Sequence, residues 1–156
     1  MIGMIITGHG NFASGLTSSA EWFIGNLDNC VTVDFHIQDA PEVFYDHLLA
    51  TVEFLSYCDS IIVLSDLVGG VPFQLSAQIA NEKKNMQVVG GTNMGMLIEI
   101  AVARQEEGMT VEKLADIAVQ IGQQQVAKFN FDEVKDDEEN KIWGSLKASF
   151  SIKGDI

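Results

Sequence analysis

Hydrophobic and polar positions along this chain follow two alternating rhythms. Short apolar runs, "GMIIT" at 3–7, "CVTVDFH" at 30–36, "SIIVLSD" at 60–66 and "MQVVGG" at 86–91, read as four strands, the third markedly β-branched. Between them the apolar residues recur at helical spacing. "FASGLTSSAEWFIG" places Phe12, Leu16, Ala20, Phe23 and Ile24 on one side, and Gly25 supplies a stop. Pro41 opens a second helix reaching about residue 57, with Val43, Phe44, Leu48, Val52 and Leu55 turned inward. Pro72 is the expected first residue of a third, "PFQLSAQIANEKK", and two more helices are predicted over 93–105 and 110–125, the last capped by Thr110.

Strand and helix thus alternate with short connections, which calls for parallel strands, right-handed crossovers and helices on both faces of an open sheet. The fold class is α/β, doubly wound. With four strands and no G-x-G-x-x-G turn, the flavodoxin-like order 2-1-3-4 fits better than a dinucleotide-binding fold. In such sheets ligands meet the carboxyl ends of the strands where the winding reverses, here between the first and third strands.

Beyond residue 125 the rhythm changes again. "VAKFNFDE" and "SLKASFSIK" alternate with period two on either side of the acidic "DEVKDDEEN". The expectation is a domain over 1–125 followed by an arm over 126–156, two strands joined by an acidic connection. The alternative is a last helix that continues to about residue 131, with a disordered remainder.

Composition narrows the class. A chain of 156 residues with 47% hydrophobic content builds one globular core, and no apolar run is long enough to span a bilayer. The opening "MIGMIITGHG" has neither a basic n-region nor a small-residue cleavage site, so a cytosolic protein with a first strand at its start is expected. Cys30 and Cys58 lack metal-ligand spacing and are expected as buried thiols; no metal site is expected. A net charge of -13 with only nine Lys and Arg argues against nucleic acid and favours a basic protein partner.

Candidate chemistry gathers at the expected crevice. His9 lies between two glycines at the end of the first strand, and Asp66 follows the third, so topology brings a proton-holding ring and a proton acceptor together. The loop "SDLVGGVPF" adds Gly69, Gly70, Val71 and Phe73 at a helix start free of acidic side chains, a place suited to an anion. Together they point to phosphoryl transfer through His9, with Asp66 holding the proton on one ring nitrogen and the other acting as nucleophile. No nucleotide-binding motif or cofactor fingerprint accompanies them, so the expected donor is another phosphoprotein. His36 and His47 receive no such support. A flavin- or ligand-binding flavodoxin-like module is a weaker reading.

The segments "IITGHGNFASG" and "SDLVGGVPFQLSAQIA" resemble the two signature stretches of the enzyme IIA component of the bacterial sugar phosphotransferase system, mannose family, and the similarity extends over residues 1–127. The resemblance implies that His9 accepts a phosphoryl group from phospho-HPr and passes it to a histidine of a IIB subunit, which serves the membrane subunits IIC and IID, with Asp66 orienting the ring. It also implies a homodimer with a strand near residue 127 exchanged between subunits. "TGHGNFASG" is most similar to N-acetylgalactosamine-type members, then to gluconate-type ones. Members usually carry Ser or Thr after the paired glycines, where this chain has Val71. With no linker or IIB domain in view, IIB is expected as a separate chain. A regulatory phosphoacceptor related to the dihydroxyacetone-kinase phosphodonor, feeding no transporter, is the alternative.

Overall fold

A computed structural model describes residues 1–129, of which Met1–Gln125 form one compact unit. Among the described residues nine elements follow in order: β1 (Ile2–His9), α1 (Phe12–Ile24), β2 (Cys30–Phe35), α2 (Pro41–Phe54), β3 (Ser60–Ser65), α3 (Val71–Lys83), β4 (Met86–Val89), α4 (Met94–Ala103) and α5 (Val111–Gln124). All strand pairs are parallel and the sheet order is β2-β1-β3-β4, as the alternating pattern predicts.

The pleat sorts the strand residues into two core layers. Ile5, Val33, Ile61 and Val63 join Phe44, Leu48, Val52 and Leu55 of the α2 segment and Ile79 of α3 in one cluster. Their neighbours Met4, Ile6, Ile62 and Leu64 project to the other face, where Ala20, Leu97, Ile100 and Leu114 of α1, α4 and α5 are buried. Two helices therefore cover one face and three the other.

Several element ends differ from the sequence reading. β1 runs two residues beyond Thr7, so His9 is its last residue and stays in register with Phe35 of β2. The helix α2 stops at Phe54, because the chain must turn before Cys58 packs under Gly3. Val71, not Pro72, is the first helical residue of α3, and Pro72 is buried in the second position, where an N–H is equally dispensable. Val43 is half exposed and Phe23 likewise, because a sheet-facing helix buries a narrower stripe than the apolar spacing offers; Ala13 and Ala20 form the tightly packed positions of α1.

Cys30 and Cys58 are free thiols. Burial raises both above the usual thiol range, Cys30 to about 11, so both are protonated at neutral pH. At the amino ends of the strands Arg104, almost wholly buried, donates to the carbonyls of Ile2 (3.1 Å) and Asn29 (3.3 Å) and also to that of Asp28. Sequence reasoning missed this pin, since an arginine after an apolar helix looks like a surface residue.

No helix among the described residues is long and apolar enough to cross a membrane. The helix α5 ends at Gln124, and residues 126–129 belong to no regular element. The remainder of the first expected tail strand, the acidic connection and the second strand lie outside the described residues.

Candidate active site

The site begins with glycines that let the backbone come close. A Cβ on Gly8 would stand 2.6 Å from Phe12 Cδ1 and 2.9 Å from Asp66 Cγ, so only glycine there lets the Asp66 carboxyl lie against the end of β1. Gly10, at φ +61°, then turns the chain out of β1 into α1, a conformation costly for other residues. His9 is thereby left at the carboxyl edge of the sheet between β2 and β3.

Asp66 holds His9 twice through one oxygen. Its Oδ2 accepts the His9 backbone N–H at 2.8 Å and lies 2.8 Å from ring Nδ1, while Oδ1 accepts the Leu67 N–H at 2.7 Å. Partial burial acts to raise the Asp66 pKa. The hydrogen bonds from the His9 backbone, the His9 ring and Leu67 together outweigh it and hold the carboxyl below its usual range. An ionised carboxylate can only accept, so the proton of the neutral ring resides on Nδ1 and the lone pair on Nε2. The backbone carbonyl of Asp66 is itself fixed by the Gly91 N–H at 3.0 Å.

Two further neighbours fix the ring plane. Phe35 meets it edge to face, with centroids 5.7 Å apart, and Phe35 leans in turn on Phe44 at 4.7 Å. On the other side Gly70 comes so close that a Cβ there would stand 2.7 Å from His9 Cε1 and 3.5 Å from Nε2. The start of α3 is thus beside Nε2, the ring nitrogen that Asp66 leaves free. Phe35 gave no signal in the sequence beyond strand period.

The α3 start carries no capping side chain and no acidic residue in its first turn. The Gly70 N–H is committed to the Leu67 carbonyl at 3.0 Å, so its contribution is close approach. The backbone N–H groups of Gly69, Val71 and Phe73 meet no acceptor among the described residues, and those of a helix start carry partial positive charge. The start of α1 is different: Oδ1 of Asp34 accepts the N–H groups of Ala13 (2.9 Å) and Ser14 (3.2 Å). Sequence reasoning missed Asp34, because a cap supplied from a neighbouring strand leaves no local motif.

His36 follows Phe35 directly and is partly buried, and His47 is exposed on α2; neither belongs to this constellation. The His9 side chain is 43% exposed while Asp66 is 15% exposed, so the imidazole faces outward and the carboxylate that holds it does not. A cavity of about 460 Å³ lies at the opposite end of the sheet, lined by Ile2, Asp28 and Arg104.

Comparison with known proteins decides the family. The family described as the PTS system fructose IIA component, EIIA-man, matches residues 3–119. The chain belongs to this family of phosphotransferase-system IIA components. It is 29% identical over 125 residues to the mannose-specific EIIAB component of Escherichia coli K12, covering 80% of this chain and 38% of that protein. It is 27% identical to the sorbose-specific EIIA component of Lacticaseibacillus casei, covering 76% of this chain and 83% of that one. Among solved structures, the EIIA component of Streptococcus agalactiae superposes with a TM-score of 0.75 at 30% identity, covering 83% of this chain and 98% of that one. The mannose/sorbose-specific IIA subunit of Enterococcus faecalis gives 0.74 at 27% identity, with 83% and 95% covered. The chain spans little more than a third of the length of its EIIAB relatives, so the activity of those whole proteins does not carry over by similarity alone.

Proposed function

We propose that this protein is the phosphocarrier of a sugar phosphotransferase system, taking a phosphoryl group from phospho-HPr onto Nε2 of His9 and passing it to a histidine of a IIB subunit. The observation that carries this reading is the His9 Nδ1 contact with Asp66 Oδ2, which leaves Nε2 as the lone-pair nitrogen beside an uncapped helix start.

The chemistry follows from that arrangement. As the donor's P–N bond breaks, a new P–N bond forms at Nε2, and the ring becomes imidazolium-like while its Nδ1 proton remains on the nitrogen. The Asp66 carboxylate stabilises that developing positive charge and keeps the ring from turning. The phosphoryl oxygens gather negative charge beside the Val71 and Phe73 N–H groups. Transfer of this kind demands positioning and charge stabilisation more than covalent help, which suits so spare a site. Return of the group to a second histidine is the same step reversed.

A half-exposed nucleophile favours a protein donor and acceptor over a small molecule held in a pocket. The acidic charge of -13 favours partners whose docking faces are basic. IIB would pass the group on to sugar at the IIC and IID subunits, in the cytosol and without membrane insertion by this chain. The sugar belongs to the mannose-family range, with N-acetylgalactosamine, galactosamine or gluconate as the candidates; the motif "TGHGNFASG" supports that branch. The carrier works as a homodimer, and a monomer by light scattering would count against it.

Incubation with phosphoenolpyruvate, enzyme I and HPr should add one acid-labile phosphoryl group per chain, and His9→Ala should abolish it. Label that persists in the variant overturns the assignment.

A further inference from the structure

We propose that Gln74 is a positioning residue of the phosphoryl site, holding the Gly69–Gly70 turn so that the free N–H groups at the start of α3 face His9 Nε2. The proposal rests on the phosphocarrier reading and adds to it a residue outside the His9–Asp66 pair.

Gln74 grips two consecutive carbonyls. Its backbone N–H donates to the Gly70 carbonyl at 2.9 Å, and its side-chain Nε2 donates to the Gly69 carbonyl at 2.6 Å. In a trans peptide the N–H and C=O point in opposite directions, so fixing the Gly70 carbonyl toward Gln74 turns the Val71 N–H away from the helix. The Gly69–Gly70 peptide is clamped at both ends, since its N–H meets Leu67 and its carbonyl meets the Gln74 amide.

That clamp matters because the turn is otherwise loose. Two successive glycines, the first at φ +79°, leave the backbone free to adopt other conformations, and Val71 offers no polar side chain to hold it. The turn also sets the ring, because Gly70 lies against the Cε1–Nε2 edge of His9. Gln74 is exposed, so its hydrogen bond competes with water and adds little to global stability. Its effect is therefore on orientation.

The test uses the full chain with phospho-HPr as donor. Gln74→Met keeps the length of the side chain and removes the donor. It should unfold within a few degrees of the wild type and keep its KM for phospho-HPr, with kcat lower by roughly three- to tenfold, the worth of one hydrogen bond. Phosphorylation should move the Val71 and Phe73 amide protons downfield in the wild type and less so in the variant. Gln74→Glu, which cannot donate when ionised and sets a negative charge against the Gly69 carbonyl, should lose more than Gln74→Met. A Gln74→Met protein that matches the wild type in kcat and amide shifts overturns the proposal, as does a loss explained wholly by unfolded protein. A wild type that takes up no phosphoryl group overturns the phosphocarrier reading instead, and this assignment with it.

Discussion

Two helices start at the same end of the sheet on either side of His9, and they are finished in opposite ways. At α1 the Asp34 carboxylate occupies the N–H groups of Ala13 and Ser14. At α3 no side chain caps the start, and the nearby carboxylate, Asp66, is turned to His9 and Leu67 instead. Two aspartates at neighbouring strand ends thus perform different work: one neutralises a helix start, the other orients a ring and leaves a helix start bare. An anion arriving at His9 meets repulsion on the α1 side and open donors on the α3 side. On the proposed function, this asymmetry sets the direction in which a phosphoryl group on His9 would lie.

The sharpest way to break the comparison is at Asp66. Asp66→Asn keeps the shape of the side chain but removes its charge, and its amide can present an N–H to Nδ1, favouring the wrong tautomer. Transfer should fall by about a hundredfold or more, judged against the loss in serine proteases when the orienting aspartate becomes asparagine. Rapid-quench measurement in both directions checks this, and an unchanged rate would leave Asp66 as a turn residue only. A stability signature accompanies it. Because the folded pKa of Asp66 lies below its ordinary value, its contacts contribute stability that is complete above about pH 4 and lost as pH falls through the folded pKa. Acid unfolding of Asp66→Asn should lack that component.

Making the two helix starts alike is the next largest perturbation. Val71→Asp places a carboxylate in the first turn of α3, as Asp34 does for α1 from outside. The helix gains about 0.3–1 kcal/mol from the favourable charge. The phosphorylated state loses more, because a carboxylate about 5 Å from a phosphoryl dianion at an effective dielectric near 40 costs about 3 kcal/mol, or roughly a hundredfold in phosphorylation equilibrium. Titration against phospho-HPr reads that shift; an undiminished equilibrium would show that the phosphoryl group lies away from α3.

The converse change at Asp34 should affect the fold more than the chemistry. Asp34→Ala frees two N–H groups at α1 and should cost about 1–2 kcal/mol, a Tm lower by about 3–8 °C. Transfer by the folded variant should change by less than about threefold. A large loss of transfer at unchanged stability would mean that the α1 start also faces the phosphoryl group.

What the sequence discloses and what it hides divide along the same line. The sheet order, the five helices and the meeting of His9 with Asp66 were all legible, because each depends on periodicity and on strand order, which single residues report through spacing. Asp34, Phe35 and Gln74 were not. Asp34 caps a helix from another strand, Phe35 braces a ring across the sheet register, and Gln74 reaches back five residues to a carbonyl, so each acts through a contact that no local pattern marks. The α3 boundary was misplaced for a related reason. Pro72 satisfies the first and second helical positions equally well, and only the Gly70 carbonyl accepting from Gln74 fixes which it takes.

The smallest expected effect lies at Val71, the position where the resemblance implies a hydroxyl. If the phosphoryl group is held by the backbone, Val71→Ser adds one neutral donor to a site that already presents the Val71 and Phe73 N–H groups and the favourable end of a helix. One further hydrogen bond has a net worth of about 0.5–1.5 kcal/mol, so transfer should rise by less than about tenfold. The half-buried Val71 side chain also loses apolar packing in the exchange, which offsets part of any gain. A quench-flow time course with phospho-HPr measures the change, and a larger rise would show that backbone donors alone leave the site short of stabilisation, removing the asymmetry between α1 and α3 as a sufficient account of how the phosphoryl group is held.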